Sequence, residues 1–539
     1  MEPPSVQTSD RDLKPLTQRP AVSIGGGATL IAGLTLLSRM LGLVRTLVFS
    51  QTVGAGCLGT AYVTAYQVPN LISELVVGGA LTSAMVPILA RSAALAGDDP
   101  TERAHVARTT SALLTWMVVA LVPVSLLLYA VAEPIATLLN PANSNAKCVH
   151  ASLVANTGGF LEAFAPQILL YGISVVLFGL LQAYRRFTAP ALAPIVASLV
   201  LITTYLIFRP LGQTSILSVG TTLSIAVLVV VAIPPIARLR LRLRPTFWLP
   251  PDLARFAGGM AVIGLIEFAA SDLASVVVIA LANGRGDTGA IVIFNYAFLV
   301  FNAFYGVLAL SITTSVFPVL SARVGAEFDR TCAGSTRAVM LAAWLGTGVM
   351  AAMAIPVAHV LAKQPHQVTE LTQAFILFAP GVAGYAIVTN LSRALFARRH
   401  LVAAGAALGG SWLLVMAADA ILAELAPAHL VVPALALGGT IGQTLAGVGT
   451  LIATRRICGK ETVRGIGRAT VAGVIGGVAG AAGGIGLTTA VHVSGQLENA
   501  AVAVGASVYA LLAFAVLAYA IDRPDLKVIT RRVLARLRG

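Results

Sequence analysis

Charged residues are scarce in this chain, and their scarcity excludes a soluble globular protein. Only 11% of the 539 residues are charged, whereas 57% are hydrophobic. A soluble domain of this length needs more polar surface than that composition supplies. The hydrophobic residues also form runs of about 18 or more, the length with which a helix crosses a bilayer. The sequence therefore predicts an all-α, polytopic membrane protein, because a β-barrel would show short alternating segments instead.

Motifs for catalysis and metal binding are missing as well. The chain has only four cysteines, with no CxxC pair and no histidine at ligand spacing. It contains no Walker A, HExxH or GxSxG motif. We therefore expect no enzymatic activity, no cofactor and no metal site. Transport would have to be driven by an ion gradient, by the membrane potential or by the gradient of the substrate itself.

Basic residues are the charged class that is present in excess. The chain has 36 lysines and arginines against 22 aspartates and glutamates, and most of the basic ones lie in the tails and in alternate loops. The opposite loops hold only Lys147, Arg209, Arg285 and Lys363. This is the positive-inside distribution, which predicts both termini in the cytosol and argues against a nucleic-acid partner.

Two of the cysteines, Cys57 and Cys148, fall in loops predicted on the outer side of the membrane. A disulfide between them is open at this stage, because sequence spacing alone cannot show that two cysteines are close.

Breaking the apolar runs at glycines, prolines and charge clusters gives fourteen predicted spans. They are 22–50, 60–90, 108–131, 150–182, 189–208, 213–237, 252–282, 288–322, 336–361, 369–397, 401–424, 430–454, 467–492 and 498–521.

The spans contain an internal repeat. FAPQILLYGI at 164–173 resembles FAPGVAGYAI at 378–387, and TSAMVPILA at 82–90 resembles TTSVFPVLS at 313–321. The repeat indicates two six-span halves related by an axis along the membrane normal, as in alternating-access transporters.

The predicted organisation has five parts. They are a disordered cytosolic tail over 1–21, an N-lobe over 22–238, a C-lobe over 252–457, two further helices over 467–522, and a basic cytosolic tail over 523–539.

The first span carries two arginines within the stretch LTLLSRMLGLVRTLVFSQ at 34–51. Each arginine near the middle of a membrane helix costs roughly 2.5–3.5 kcal/mol. Arg39 and Arg45 are about 9 Å apart along a helix and roughly 120° apart around it, so both could border one cavity. There they would offer planar cationic donors that suit phosphate oxygens. The alternative is that they reach lipid headgroups.

Acidic and amide side chains also occur at membrane depth. Glu74, Glu267 and Asp272 are candidates for ion or proton coupling, or for ion pairs with the arginines, and a structural interhelical contact is the alternative. Asn70, directly after Pro69, is a candidate substrate contact or an interhelical hydrogen bond.

Several of these stretches resemble the MurJ (MviN) family of lipid II flippases within the MOP exporter superfamily. The resemblance is carried by SRMLGLVRT at 38–46, VGAG at 53–56, QVPNLISELVVGGALTSAMVPILAR at 67–91, FAPQILLYGISVVLFGLLQAYRRFTAPALAP at 164–194 and NYAFLVFNAFYGVLALSITTSVFPVLS at 295–321.

The resemblance implies a function for the buried charges. Family members move undecaprenyl-pyrophosphate-linked peptidoglycan precursor, lipid II, from the inner to the outer leaflet of the bacterial cell membrane for cell-wall synthesis. Two six-helix lobes enclose a cationic cavity, and two extra helices form a groove for the lipid tail. Arg39 and Arg45 match the family arginines of the first helix that are implicated in pyrophosphate binding. Cell-wall synthesis proteins are candidate partners beside the lipid-linked substrate and membrane lipids.

The sequence departs from the family at several charged positions, as in divergent high-GC Gram-positive members. The family's charges are replaced at Thr46, Thr60, Ser73, Glu74, Gly78, Phe298 and Leu299. Two alternatives therefore stay open beside lipid II transport. One is export of another lipid-linked glycan or of drugs by cation antiport, and the other is a transport-inactive homologue that serves as a cell-wall scaffold.

Overall fold

The computed structural model describes residues 24–74, 93, 99–248, 251–491, 493 and 495–523, with the side chains of 24–32 and 251–266 left aside. All regular secondary structure in these residues is helical, which confirms the predicted all-α fold. The predicted tail over 1–21, the repeat segment 82–90, and all but the first residue of the predicted tail over 523–539 lie outside the described residues.

The helices of the first half are α1 (Ile24–Thr52), α2 (Cys57–Ser73), α3 (Pro100–Ala130), α4 (Ala132–Leu139), α5 (His150–Ala183), α6 (Thr188–Leu211) and α7 (Thr214–Ala237). Those of the second half are α8 (Pro251–Arg285), α9 (Ala290–Phe304), α10 (Ser311–Ala322), α11 (Gly325–Ala352), α12 (Ala354–Leu361), α13 (Pro365–Phe378), α14 (Gly381–Ala397), α15 (Leu401–Leu425) and α16 (Val431–Cys458). A π-helix (Tyr305–Leu310) joins α9 to α10, and α17 (Ile466–Ala490) and α18 (Gln496–Ile521) follow.

Among the described residues, eleven helices are long and apolar enough to cross a membrane, or thirteen if each of two bent pairs is one span. The predicted second span, 60–90, is described only as far as Glu74. The count of fourteen therefore stays a prediction, whereas the polytopic character is confirmed.

Most helix ends lie within a few residues of the predicted ones, and capping residues explain where individual helices begin and end. Asp99 caps α3 by accepting a hydrogen bond from the amide of Thr101, 2.8 Å away, so α3 begins well before the predicted residue 108. Gly212 ends α6 in the left-handed conformation, at φ 65°, which glycine adopts without strain.

Two spans that we predict as single helices are bent pairs. The predicted span 336–361 is divided into α11 and α12, with a bend of 59° between them. The predicted span 369–397 is divided into α13 and α14, with a bend of 40°. Pro356 and Pro380 lie at these breaks, and a proline cannot continue the hydrogen-bond ladder of the preceding helix.

The helices pack in two groups. Helices α1 to α7 pack mainly against one another, as do α8 to α16, while α17 and α18 pack beside α11. Direct packing between the groups is confined to few helix pairs, such as α2 with α9 and α1 with α12. This arrangement supports two lobes, whose exact boundaries stay a prediction.

A disulfide joins Cys57 and Cys148 and so connects the start of α2 to the loop before α5, which answers the question that the sequence left open. We call the end of the molecule that carries this bond and the loops 53–56, 140–149, 286–289 and 362–364 the disulfide end.

Hydrogen bonds close the two groups together at the disulfide end. Asn143 Nδ2 donates to the carbonyl oxygens of Asn283 and Gly286, at 2.9 and 2.8 Å. In the other direction, Lys363 Nζ donates to the carbonyl of Gln51 at 2.7 Å. The cavity described next is therefore sealed on this side.

Candidate functional site

A cavity of about 540 Å³ lies between the two groups of helices. Helices α1, α2 and α6 line one wall, and α8, α9, α14 and α15 line the other. Its charged and amide side chains are Arg45, Glu74, Glu267, Gln67, Asn70, Asn295 and Asn302. Polar groups within a membrane protein are concentrated where a substrate or an ion passes, so this cavity is the candidate functional site.

Among the described residues, Arg45 is the cation that lines the cavity. Its half-buried guanidinium lies near four tyrosines of the first group, Tyr62, Tyr66, Tyr171 and Tyr205. Among the described carboxylates, none forms an ion pair with it. A guanidinium has five N–H donors in a planar fork, so Arg45 can offer donors to an anion that enters the cavity.

The tyrosines around Arg45 are held in place by contacts of their own. The Tyr62 hydroxyl is hydrogen-bonded to those of Tyr205 and Thr221, at 3.0 and 2.8 Å. Phe49 packs on the rings of Tyr62 and Tyr205, with centroids 5.5 and 5.3 Å away. This cluster joins α1, α2, α6 and α7, so the wall beside Arg45 is organised before any ligand arrives.

Asn70 lines the same cavity and also makes an interhelical hydrogen bond, the alternative that the sequence left open. The Tyr171 hydroxyl donates to Asn70 Oδ1 at 2.9 Å, which leaves the amide NH₂ of Asn70 as a donor on the same wall as Arg45.

Arg39 lies outside the lining of this cavity, whereas Arg45 lies within it. The exposed side chain of Arg39 is absent from the cavity lining, and its guanidinium lies against Gly306 in the π-helix, with Nη1 3.4 Å from where a Cβ would stand. Arg39 therefore reaches from α1 to the second group of helices.

The predicted acidic residues fall into two environments. Glu74 and Glu267 line the cavity, on opposite walls. Asp272 is only 5% exposed and lies behind the lining. Within the described part of the chain, neither oxygen of its carboxylate has a hydrogen-bond partner.

Apolar side chains fill the second wall at Phe298 and Leu299, where the resemblance implied charges in other members. Phe298 stacks with Phe294, Phe301 and Phe378, at centroid distances of 6.0 to 6.2 Å, and Leu299 lines the cavity beside it. The wall formed by α9 is therefore mainly aromatic, with Asn295 and Asn302 as its polar members.

Sequence reasoning missed Arg393, which lies on α14 close to the cavity. Its Nη1 donates to Thr313 Oγ1 at 2.8 Å, and its charge interacts with that of Glu267. The signal was available, because Arg393 interrupts the apolar run 381–397 before the basic pair Arg398 and Arg399.

The sequence matches the family model described as lipid II flippase MurJ over residues 49–520. The chain belongs to the MurJ family of lipid II flippases. It is accordingly a multi-pass membrane protein of that family, and the family's members are transporters. The match begins after Arg39 and Arg45, so it does not test the roles of those two residues.

Curated relatives agree with the family. The chain is 28% identical over 183 residues to the lipid II flippase MurJ of Burkholderia cenocepacia, which is 33% of each chain. It is 23% identical over 377 residues to the probable lipid II flippase MurJ of Buchnera aphidicola, covering 68% of this chain and 71% of that one.

Solved structures share the fold. A lipid II flippase MurJ in an inward closed conformation matches with a TM-score of 0.72 at 16% identity, over 92% of this chain and 99% of that one. An inward-facing multidrug resistance MATE transporter of the MOP superfamily matches with a TM-score of 0.64 at 12% identity, over 79% and 96%.

Proposed function

We propose that this protein moves lipid II, the polyprenyl-diphosphate-linked precursor of peptidoglycan, from the inner to the outer leaflet of the bacterial cell membrane. The observation that carries the proposal is Arg45, whose guanidinium borders a cavity between two groups of helices and forms no ion pair with a described carboxylate. A diphosphate supplies the bidentate oxygens that a guanidinium binds best. The names of the family and of the relatives support this substrate.

The mechanism we propose is alternating access. The headgroup enters the cavity from the cytosolic leaflet, and Arg45 and Asn70 hold the diphosphate while the polyprenyl tail stays in the lipid along α17 and α18. The two groups of helices then rock about the cavity, and the hydrogen bonds of the disulfide end break to release the headgroup. Few direct helix contacts between the groups support such a motion.

The proposed orientation places both termini in the cytosol and the disulfide end outside. It rests on the distribution of lysine and arginine. The disulfide between Cys57 and Cys148 supports it independently, because disulfides persist outside the reducing cytosol.

Complementation tests the proposed function. Cells depleted of their own lipid II flippase should grow when they express this chain, and growth should fail with Arg45→Ala at equal membrane abundance. A scaffold without transport activity predicts the opposite for the second part, since any folded variant would then restore growth.

A cation-driven exporter of another glycan or of drugs is the second candidate. Asp272 favours it, because a buried carboxylate without a described partner could take up a cation or a proton. In that case Asp272→Asn should abolish export while Arg45→Ala leaves it unchanged. Drug resistance assays with both variants separate the two candidates.

A further inference from the structure

One nitrogen of the Arg393 guanidinium is hydrogen-bonded to a buried hydroxyl. Thr313, which is 1% exposed, accepts from Arg393 Nη1 at 2.8 Å and donates its own proton to the carbonyl of Leu310 at 2.9 Å. The threonine therefore presents a lone pair to the arginine and fixes the direction of its guanidinium.

Arg393 is half-buried, and among the described residues its guanidinium is hydrogen-bonded to Thr313 alone. Among the described residues Arg393 forms no ion pair. It lies near Glu267, Tyr305 and Tyr385. The two tyrosine rings lie 4.4 Å apart, and Glu267 and Tyr385 both line the cavity. Arg393 therefore lies on the second group of helices, behind residues that line the cavity.

The place of Arg393 along α14 complements that of Arg45. Arg393 comes eight residues after Tyr385 on α14, about 12 Å further along the axis. The chain enters this pair of helices near the disulfide end, where Gln367 on α13 contacts the carbonyl of Ala55. Arg393 therefore lies toward the opposite end, the one from which the proposed substrate enters.

We propose that Arg393 is a second contact for the substrate's diphosphate, supplied by the second group of helices. This inference rests on the proposed function and adds a second arginine to the proposed diphosphate site. Glu267 lies near Arg393 without an ion pair, so the donors of Arg393 are open to the more highly charged diphosphate when it enters. Because Phe298 and Leu299 leave the α9 wall without charge, Arg393 supplies the cation that a polyanion needs on this side.

Binding of a defined probe tests the inference. The full chain in lipid nanodiscs is titrated with a polyprenyl diphosphate and with the matching uncharged polyprenol. Arg393→Gln should weaken diphosphate binding about tenfold and leave polyprenol binding unchanged. Arg393→Lys should lose less, because it keeps the charge but not the fork. Arg455→Gln, an exposed arginine near the end of α16, is the matched control and should bind as the wild type does.

A structural role for Arg393 makes a different prediction. If the arginine only holds α14 against α10, Thr313→Val should weaken diphosphate binding as much as Arg393→Gln, and both should lower the melting temperature. A much smaller loss in Thr313→Val supports direct contact. Equal losses overturn it, as does wild-type binding by Arg393→Gln. If Arg393→Gln does not fold, Arg393→Lys and Thr313→Val carry the same comparison.

A double-mutant cycle with Glu267 sharpens the test. Glu267→Gln removes a nearby anion and should tighten diphosphate binding a few-fold, whereas the same change in the Arg393→Gln background should have a clearly smaller effect. Equal effects in both backgrounds contradict coupling between Glu267 and Arg393 in diphosphate binding. If Arg45→Ala weakens binding and Arg393→Gln does not, only this inference fails. If neither does, the proposed function fails with it.

Discussion

The two groups of helices meet in two regions that treat their polar side chains differently. At the disulfide end, Asn143 and Lys363 each donate across the boundary to backbone carbonyls of the other group. In the cavity, Arg45 and Glu267 lie on opposite walls and form no ion pair with each other. An unmatched polar side chain in low dielectric is costly. We therefore propose that the cavity binds a ligand, whereas the hydrogen bonds of the disulfide end hold the two groups of helices together.

Changing Arg45 should give the largest effect. Arg45→Ala and Arg45→Glu should both abolish growth in flippase-depleted cells, while Arg45→Lys keeps part of it. Loss of a charge-assisted contact amounts to about 1.5–3 kcal/mol, or roughly tenfold to a hundredfold in affinity. The melting temperature should hardly change, because Arg45 forms no described ion pair. Growth with Arg45→Glu would show that transport does not need a positive charge in the cavity.

Asn283 should show the reverse pattern. Its side chain, 8% exposed, donates to Thr64 Oγ1 and to the Leu139 carbonyl, both at 2.9 Å across the boundary. Asn283→Ala leaves those acceptors unpaired, which should destabilise the sealed state by about 1–3 kcal/mol. Thermal unfolding in detergent should detect the change, while affinity for a polyprenyl diphosphate changes little. An unaltered melting temperature would show that this hydrogen bonding does not close the molecule.

Removing the disulfide should loosen the same end more mildly. In Cys57→Ser/Cys148→Ser the loop 140–149 is no longer tied to α2, so the hydrogen bond from the Lys147 amide to Thr288 Oγ1, 2.8 Å long, should open more often. Hydrogen exchange should rise in that loop and stay unchanged in α14. If the loop exchanges equally fast in the variant and in the wild type, its hydrogen bonds are enough to hold it without the disulfide.

The smallest effect is expected for Tyr171→Phe. The change removes the donor to Asn70 Oδ1 and frees the amide to turn, which should weaken diphosphate binding about threefold, within the range of one neutral hydrogen bond. Asn70→Ala, which deletes the cavity donor itself, should cost more. The reverse order would mean that Tyr171, and not Asn70, contacts the ligand.

The fold was largely predictable because membrane spans are long and are bounded by charge, glycine and proline. The predicted span 213–237 differs from α7 (Thr214–Ala237) by one residue at its start. The bends before α12 and α14 were missed, since an apolar run reads as one helix even where a proline interrupts its hydrogen bonds.

The candidate site was predictable only in part. Composition and span position indicated Arg45, Asn70, Glu74 and Glu267, all of which line the cavity. Which of the other side chains lie at the cavity depends on how each helix is rotated about its axis. That rotation is set by tertiary packing, which sequence spacing does not encode. Arg39 therefore lies against the π-helix, and Arg393 was overlooked because it precedes a basic loop.

The most direct test of the central claim is the affinity of the wild type and of Arg45→Ala for a polyprenyl diphosphate in nanodiscs, with the uncharged polyprenol as reference. We predict that the wild type prefers the diphosphate and that Arg45→Ala loses at least about tenfold of that preference. Equal preference in the two proteins would contradict the assignment of the cavity as a diphosphate site.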